Sequence, residues 1–403
     1  DNHVAIGWAS LGANTTGSDN VAVGYSALGL NTTGNNLVAV GTNTLDANTT
    51  GTANVGVGHH ALGGTTTGAN NVAVGINAAI ANTTGNHNVA IGYQALNANT
   101  TAQYNIGIGK DAGLVNTTGD GGVWIGYRAA VAHTTATQNT CVGYEAGDAI
   151  TTGSYNSFFG GASGGATTTA NHNTALGFNA FAAATTATQN VIIGNYAGDA
   201  LTSGGYNACI GVNAGTAATT AYSCIMIGDS AGDTITDGHS WIMIGRGADG
   251  TATDGTHQIS ISTGGEAAKG NTTAYISAGN GAVYAGNNSA SFSTTSDRRI
   301  KKNIVDNNAG LEKINQIRVR NFEYKKPDEI EELDGTCAVN IEGVQVGVIA
   351  QEIAEILPDV VKQESTGVYS VDSDHLTWYL INAIKELSAE VTELKQWKEE
   401  HDG

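Results

Sequence analysis

Basic residues are scarce in this sequence. The 403 residues hold 17 Lys and Arg against 36 Asp and Glu, a net charge of −19. A surface this acidic argues against nucleic acid, whose phosphates need a basic face, and against an anionic membrane surface. Long apolar runs are missing too. None reaches the roughly 18 residues of a membrane span, so no membrane insertion is expected. Proline occurs twice. The four cysteines (Cys141, Cys209, Cys224 and Cys337) are scattered, without metal-ligand spacing. Three of them fall at apolar repeat positions and read as buried free thiols. The ten histidines form no H-x-x-x-H pattern. Neither a metal site nor a cofactor is expected.

The charges that are present are unevenly placed. Residues 1–295 contain four basic residues (Lys110, Arg128, Arg246 and Lys269) and fourteen acidic ones, and residues 296–403 hold the rest. Two regions with different physics meet near residue 295. No signal-peptide pattern stands at the start. The first residue is Asp, inside a repeat, so the sequence is expected to be part of a longer or processed protein.

The long first region repeats. A glycine recurs at every seventeenth position from Gly7 to Gly245, fifteen times without an insertion. Fixed periodicity is the mark of a stacked architecture. A longer period of 51 residues overlies it: "TTATQN" at 134–139 returns at 185–190, and "AGDAITTGSYN" at 146–156 returns as "AGDALTSGGYN" at 197–207. The residue before each glycine is Val, Ile, Leu or Phe, and the residue two earlier is usually β-branched. These two columns share one face of a short strand and are expected to form the core. The third residue after the glycine is small, the eighth is always Thr, and the tenth is Gly or Ala. Small columns suit tight corners. The Thr column suits a ladder bonded along the stack. The pattern predicts an all-β solenoid of 15 copies of 17 residues over 1–262, a rod of roughly 70 Å, followed by a β-rich neck over 263–295. A helical reading fails, because no 3.6-residue period exists and β-branched residues and Gly dominate.

The column between the two β-branched ones is apolar throughout. It starts with Ala5, Ala22 and Ala39 and becomes bulky at Trp124, Phe158, Ile192, Met226 and Met243. Strand alternation puts it opposite the expected core. A lone rod would then expose a long apolar stripe, which soluble monomers avoid. These residues are therefore expected to lie in a subunit interface. The recurrent "NTTG" matches a glycosylation acceptor, but stacked glycans would collide, and Asn and Gly as turn formers explain it better. Paired Thr alternate faces on a strand, which disfavours an ice-binding array.

The stretches "HVAIG", "NVAVG" and "NVAIG" resemble the heads of trimeric autotransporter adhesins, whose repeats form a left-handed β-roll around a threefold axis. The resemblance covers residues 1–262. Beyond the seam, "SDRRIKKNI" at 296–304 resembles the start of the intramolecular-chaperone, self-cleaving domain of endosialidase-type phage tailspikes and fibres. "VGVIAQEIAEILPDVV" at 346–361 and "YSVDSDHLTWYLINAIKELSAEVTEL" at 369–394 are similar to later blocks of that family, which assigns 296–403 to a small α+β chaperone domain ending in a long helix. The resemblance implies a homotrimer and a serine–lysine dyad. It places the nucleophile at Ser296 and the base at Lys301, with Asp297, Arg299 and Asn303 fitting the same pattern. Cleavage is expected at Thr295–Ser296, as single-turnover autoproteolysis.

A serine hydroxyl needs a base, and lysine is a base only when neutral, well below its ordinary pKa of about 10.4. Burial or neighbouring positive charge such as Arg298, Arg299 and Lys302 would supply that shift. Residues five apart share no face of a regular helix or strand, so a turn near Asp297 or a partner subunit must join the pair. A plain N-cap at Ser296 or Asp297 is the structural alternative. At the C-terminus, Leu380, Ile384, Leu387, Val391 and Leu394 follow a 4-3-4-3 coiled-coil spacing. Ile or Val at one core position with Leu at the other favours two strands, whereas the resemblance implies three. A single amphipathic helix packed on its own domain is the other reading.

The expected function is the distal part of a homotrimeric phage tail fibre. It would be made in the host bacterial cytoplasm and placed in the virion tail. Its partners would be upstream virion tail proteins and a host cell-surface glycan or protein. Alternatives are a bacterial trimeric surface adhesin, or a depolymerising tailspike with its enzyme domain upstream of Asp1. The repeats offer no paired carboxylates in a cleft of the kind a glycosidase needs.

Overall fold

The computed structural model describes residues 2–250, 256–262, 274–278, 281–285, 292–293, 298–331, 333, 342–363 and 367–401. The chain divides into two compact units, Asp1–Thr295 and Ser296–Gly403.

The first unit is a parallel β-solenoid of fifteen 17-residue turns. Each turn contributes one three-residue strand, from β1 (Val4–Ile6) to β15 (Ile242–Ile244). Every strand pairs in parallel and in register with the strand 17 residues on, as in Val21↔Val38, Ala22↔Ala39 and Val23↔Val40. β16 (Ile259–Ser262) extends the ladder. β17 (Ala274–Ala278) joins it in parallel, and β18 (Gly281–Ala285) and β19 (Phe292–Ser293) add antiparallel pairs. The recurring glycine has a backbone reason. Gly24 sits at φ +141, and a Cβ there would run into the carbonyl oxygen of Gly41 in the next coil. Only glycine combines that dihedral with that approach.

The strand faces are reversed from the expectation. The middle column is the core: Ala22, Ala39, Ala73, Trp124, Phe158, Ile192, Met226 and Met243 have no exposed surface within the single chain. The flanking columns point outward, with Val4, Ile6, Val40, Val74, Ile91, Phe159 and Leu176 exposed. Trp124, Phe158, Ile192, Met226 and Met243 therefore have no surface to offer another subunit, and their assignment to a subunit interface is corrected. Both strand faces are apolar, and a period of two does not say which points inward. The coil is narrow, so small middle residues suffice to fill it, and the bulkier β-branched columns remain outside.

The drift from small to bulky in the middle column is a volume exchange. Four residues after the repeat glycine, a second inward column runs the opposite way. Most coils with a small middle residue carry Leu there: Ala22 with Leu28, Ala39 with Leu45, Gly56 with Leu62, Ala90 with Leu96; Ala73 with Ala79 and Gly107 with Gly113 are small in both places, and the Trp124 indole reaches the space beside Gly113. Coils with a large one carry Ala or Gly: Trp124 with Ala130, Phe158 with Gly164, Ile192 with Gly198, Met226 with Gly232. Ala175, a small middle residue among the bulky coils, follows the same exchange and pairs with Phe181. A Cβ on Gly164 would strike the Phe158 ring, and one on Gly113 or Gly122 would strike the Trp124 indole. Cores keep total volume more strictly than identity.

Polar ladders complete the coil. The Thr hydroxyls donate to the next Thr carbonyl, at 2.8 to 3.2 Å, without a break from Thr15 to Thr236. Inside the coil, the Asn88 amide donates to Asn71 Oδ1 (3.1 Å) and to the Ala102 carbonyl (2.8 Å), and Asn88 Oδ1 accepts from the Asn105 backbone N–H (3.0 Å). Buried amides so fully bonded carry little penalty. The Asn residues of "NTTG" behave alike. Asn31 is buried and donates to Asn14 Oδ1 and to the Gly34 carbonyl, which closes it to a glycan. Cys141, Cys209 and Cys224 are buried free thiols, and burial pushes each thiol up, away from reactivity.

The second unit is small. β20 (Arg320–Phe322) pairs antiparallel with β21 (Gln345–Gly347), and β22 (Val361–Gln363) with β23 (Tyr369–Val371). Helices α1 (Leu311–Ile314), α2 (Ala350–Ile356) and the long α3 (Ser373–His401) accompany them. α2 stops at Leu357 because Pro358 follows. The Asp372 carboxylate caps α3, accepting the N–H groups of Asp374 and His375 at 3.0 and 3.1 Å. Ile353, Leu357, Val360 and Tyr379 form its buried core, with Ile314, Ile317, Val348 and Leu376 packed around them.

Candidate processing site and chaperone unit

The seam between the units is where catalysis was expected. A one-turn 3₁₀ helix runs over Arg298–Ile300, and the Lys301 N–H closes it onto the Arg298 carbonyl at 3.2 Å. This is a turn directly after Asp297, one of the two ways by which Ser296 and Lys301, five residues apart, were expected to meet, the other being a partner subunit. Residues three apart eclipse on a 3₁₀ helix, which sets Arg298 and Lys301 on one side. Lys301 is exposed, and Asn303 follows in the left-handed region at φ +53. Thr295, Ser296 and Asp297 lie outside the described residues, so the dyad and the scissile bond have no geometry here.

The chain after the turn is tied to α3. Glu386 Oε2 accepts the Leu311 N–H at 2.7 Å, at the start of α1. The Asn382 amide donates to the carbonyls of Asn307 (2.6 Å) and Ala309 (3.2 Å). Two side chains one turn apart on the long helix thus hold the segment that leads out of the seam. The second quoted block has a comparable role. Its Glu352 receives a two-point contact from Arg320, Nε to Oε2 at 3.2 Å and Nη2 to Oε1 at 2.6 Å. The paired guanidinium holds the Glu352 carboxyl below its usual range, and the geometry is the bidentate one favoured by arginine. Its Asp359 accepts the Tyr379 hydroxyl at 2.5 Å, joining the end of α2 to α3. Arg320, Asn382 and Glu386 were not singled out from sequence. They stand 32 to 75 residues from their partners, and no local spacing announces such pairs.

The expected coiled-coil seam lies on α3. Leu380, Ile384, Leu387, Val391 and Leu394 are all exposed within the single chain, Ile384 at 66%. Among the described residues no cluster of His, Cys, Asp or Glu is arranged to hold a metal ion, and no helix is long and apolar enough to cross a membrane.

Residues 296–362 match the peptidase S74 family, described as chaperone of endosialidase. No solved structure matches the chain. The match begins at Ser296, which is also the first residue of the second compact unit. What the chain matches is thus the chaperone of endosialidase, set behind a β-solenoid of fifteen turns, an arrangement that fits a protein of the tail-fibre or tailspike type.

Proposed function

We propose that this chain is the distal part of a homotrimeric phage tail fibre whose C-terminal unit guides assembly and then cuts itself off next to Ser296. One observation carries the processing step. The family match and the second compact unit both begin at Ser296, the serine of the expected dyad. Cleavage there would part the molecule between its units. In the proposed step, neutral Lys301 takes the Ser296 hydroxyl proton, and Oγ attacks the Thr295 carbonyl carbon. The Thr295–Ser296 C–N bond breaks, and the Ser296 amine leaves with a proton. Water then hydrolyses the resulting ester, freeing the Thr295 carboxylate and restoring the hydroxyl.

Two apolar surfaces support three chains. The outward strand columns run the length of the solenoid, through Val40, Val57, Val74, Ile91, Ile125 and Leu176, all exposed. A strip about 70 Å long and about 10 Å wide offers about 700 Å² per chain, near the size of a standard interface. Parallel copies around an axis along the rod would set identical residues at identical heights. The exposed leucines of α3 would meet in the same way. In this reading the rod extends from upstream virion tail proteins toward a glycan or protein on the host surface.

The test is a denaturing gel and intact mass of the wild-type chain beside Ser296→Ala and Lys301→Ala. A wild-type cut at Thr295–Ser296, lost in both variants, is the expected result. An uncut wild type that is trimeric by native mass would remove the catalytic assignment and leave a permanent assembly clamp.

A further inference from the structure

Five residues before each repeat glycine, the solenoid carries an outward column whose backbone is left-handed. Its first members are Asp19 (φ +58), Asn36 (φ +57), Ala53 (φ +55) and Asn70 (φ +60), all short side chains, of which Asp and Asn visit this region most readily. Later members do not suit it. Tyr104 (φ +60), Tyr155 (φ +63) and Tyr206 (φ +59) hold a bulky ring there. For such residues a positive φ is an outlier that costs stability. The rings return nothing to the core, since all three tyrosines are more than half exposed. They recur every 51 residues, three coils or about 14 Å along the rod. A strained, exposed residue that contributes nothing to the core, placed three times at equal spacing, points to function rather than fold.

The surroundings describe the ligand. Tyr104 stacks on His87 (ring centroids 5.1 Å apart, planes within 3°) and Tyr155 on His172 (4.9 Å, 2°). Each pair makes a flat, preformed aromatic platform. Gln138 and Gln189, exposed in the same column, stand between the platforms. Phenol, imidazole and amide groups together donate and accept hydrogen bonds without a fixed charge. Lys and Arg are absent from the column, and residues 1–295 carry four basic against fourteen acidic residues. A polyanion would be repelled by that field.

We infer that the Tyr104–Tyr155–Tyr206 stripe is a binding face for a neutral linear polysaccharide lying along the shaft. The apolar faces of its sugars would rest on the aromatic platforms, and its hydroxyls would bond to the polar groups between them. Tyrosine loses little conformational freedom on binding. Tyr206 meets Tyr222 edge-on instead (5.1 Å, 64°), and three weak aromatic contacts engaged by one polymer gain from effective concentration. The inference deepens, and rests on, the reading of the rod as a host-contacting fibre.

The test uses the full chain and the triple variant Tyr104→Asn/Tyr155→Asn/Tyr206→Asn. Asn is the residue that other coils place in this column. Both proteins are applied to immobilised dextran, mannan and galactan, with polysialic acid and hyaluronan as anionic counterparts, and both are weighed by native mass and melted. The expected result is retention of the wild type on at least one neutral polysaccharide, reduced at least about tenfold in the variant. The variant should keep the wild-type oligomeric state and melt no lower. Retention on none of the neutral polymers, retention on the anionic ones alone, or unchanged retention of the variant would each overturn the inference. So would a variant that melts lower or changes oligomeric state, because the tyrosines would then serve the fold or a subunit interface. Cleavage at Ser296 is read separately on the same samples, so failure of the processing reading and failure of this one are told apart.

Discussion

The two units of this chain reach a folded state in opposite ways. In the shaft, stacked coils bury their inward columns against one another, and the interior from Ala22 to Met243 is closed within one chain, with Ala5 of the first coil left open. In the C-terminal unit the buried core described is Ile353, Leu357, Val360 and Tyr379, while the 29-residue α3 leaves Leu380, Ile384, Leu387, Val391 and Leu394 exposed. A repeat solenoid gains stability from contacts between neighbouring coils. A small unit with a long apolar helix face gains it from association. The shaft thus closes its core within one chain, while the C-terminal unit leaves an apolar helix face uncovered. On the proposed reading, the C-terminal unit brings the chains together and the shafts then associate along their outer faces.

The sharpest way to break that contrast is to charge the helix. Leu387→Asp with Leu394→Asp should abolish the proposed trimer in native mass while leaving the β-signal of the shaft unchanged in circular dichroism. A trimer that survives both changes would place assembly on the shaft instead. The next effect belongs to the shaft core. Trp124→Ala should cost about 3–5 kcal/mol in urea unfolding. Adding Gly113→Leu should return part of that loss, because Leu96 already holds the same column at φ +51 and the indole now fills the space beside Gly113. If the second change deepens the loss, the volume exchange between the two inward columns is not what packs the coil.

The smallest of the three effects depends on pH. His133 is buried against Trp124, with Asn116 Oδ1 at 3.2 Å from Nδ1 and the Asn139 amide donating to Nε2 at 3.1 Å. This network accepts only the neutral ring with its proton on Nδ1. Burial lowers the pKa from 6.5 to about 4. The sign follows from linkage. The folded state resists protonation that the unfolded chain accepts, so stability is full above pH 6.5 and falls as pH drops toward 4. The loss reaches about 3 kcal/mol below that point. His133→Asn, the residue of the preceding coils, should flatten the slope of unfolding free energy between pH 7 and 4. An unchanged slope would assign the acid sensitivity to other groups.

Much of this was legible in the residues. The 17-residue interval, the Thr ladder and the turn-forming "NTTG" are local regularities, and stacking identical coils turns each into a column; that the Asn of "NTTG" is buried was not legible. The seam at Thr295–Ser296 showed itself as a step in charge density. The facing of the strands was misread, because Val21 and Val23 are as apolar as any core pair while Ala22 looks incidental. The contacts of Arg320 with Glu352 and of Glu386 with Leu311 had no signal at all, since their partners are distant in sequence and each residue alone is an ordinary charge.

The repeat, its register and the place where the chain changes character follow from the residues alone. A fixed period allows no other pairing than coil on coil, and these three follow from that alone. Only the tertiary structure decided which face of each strand is inside. A three-residue strand alternates whichever way it turns, and the choice falls to the left-handed corners and to the volume a narrow coil can enclose. The same corners hold three tyrosines outward in a backbone region they do not favour, a placement no hydropathy pattern could have revealed.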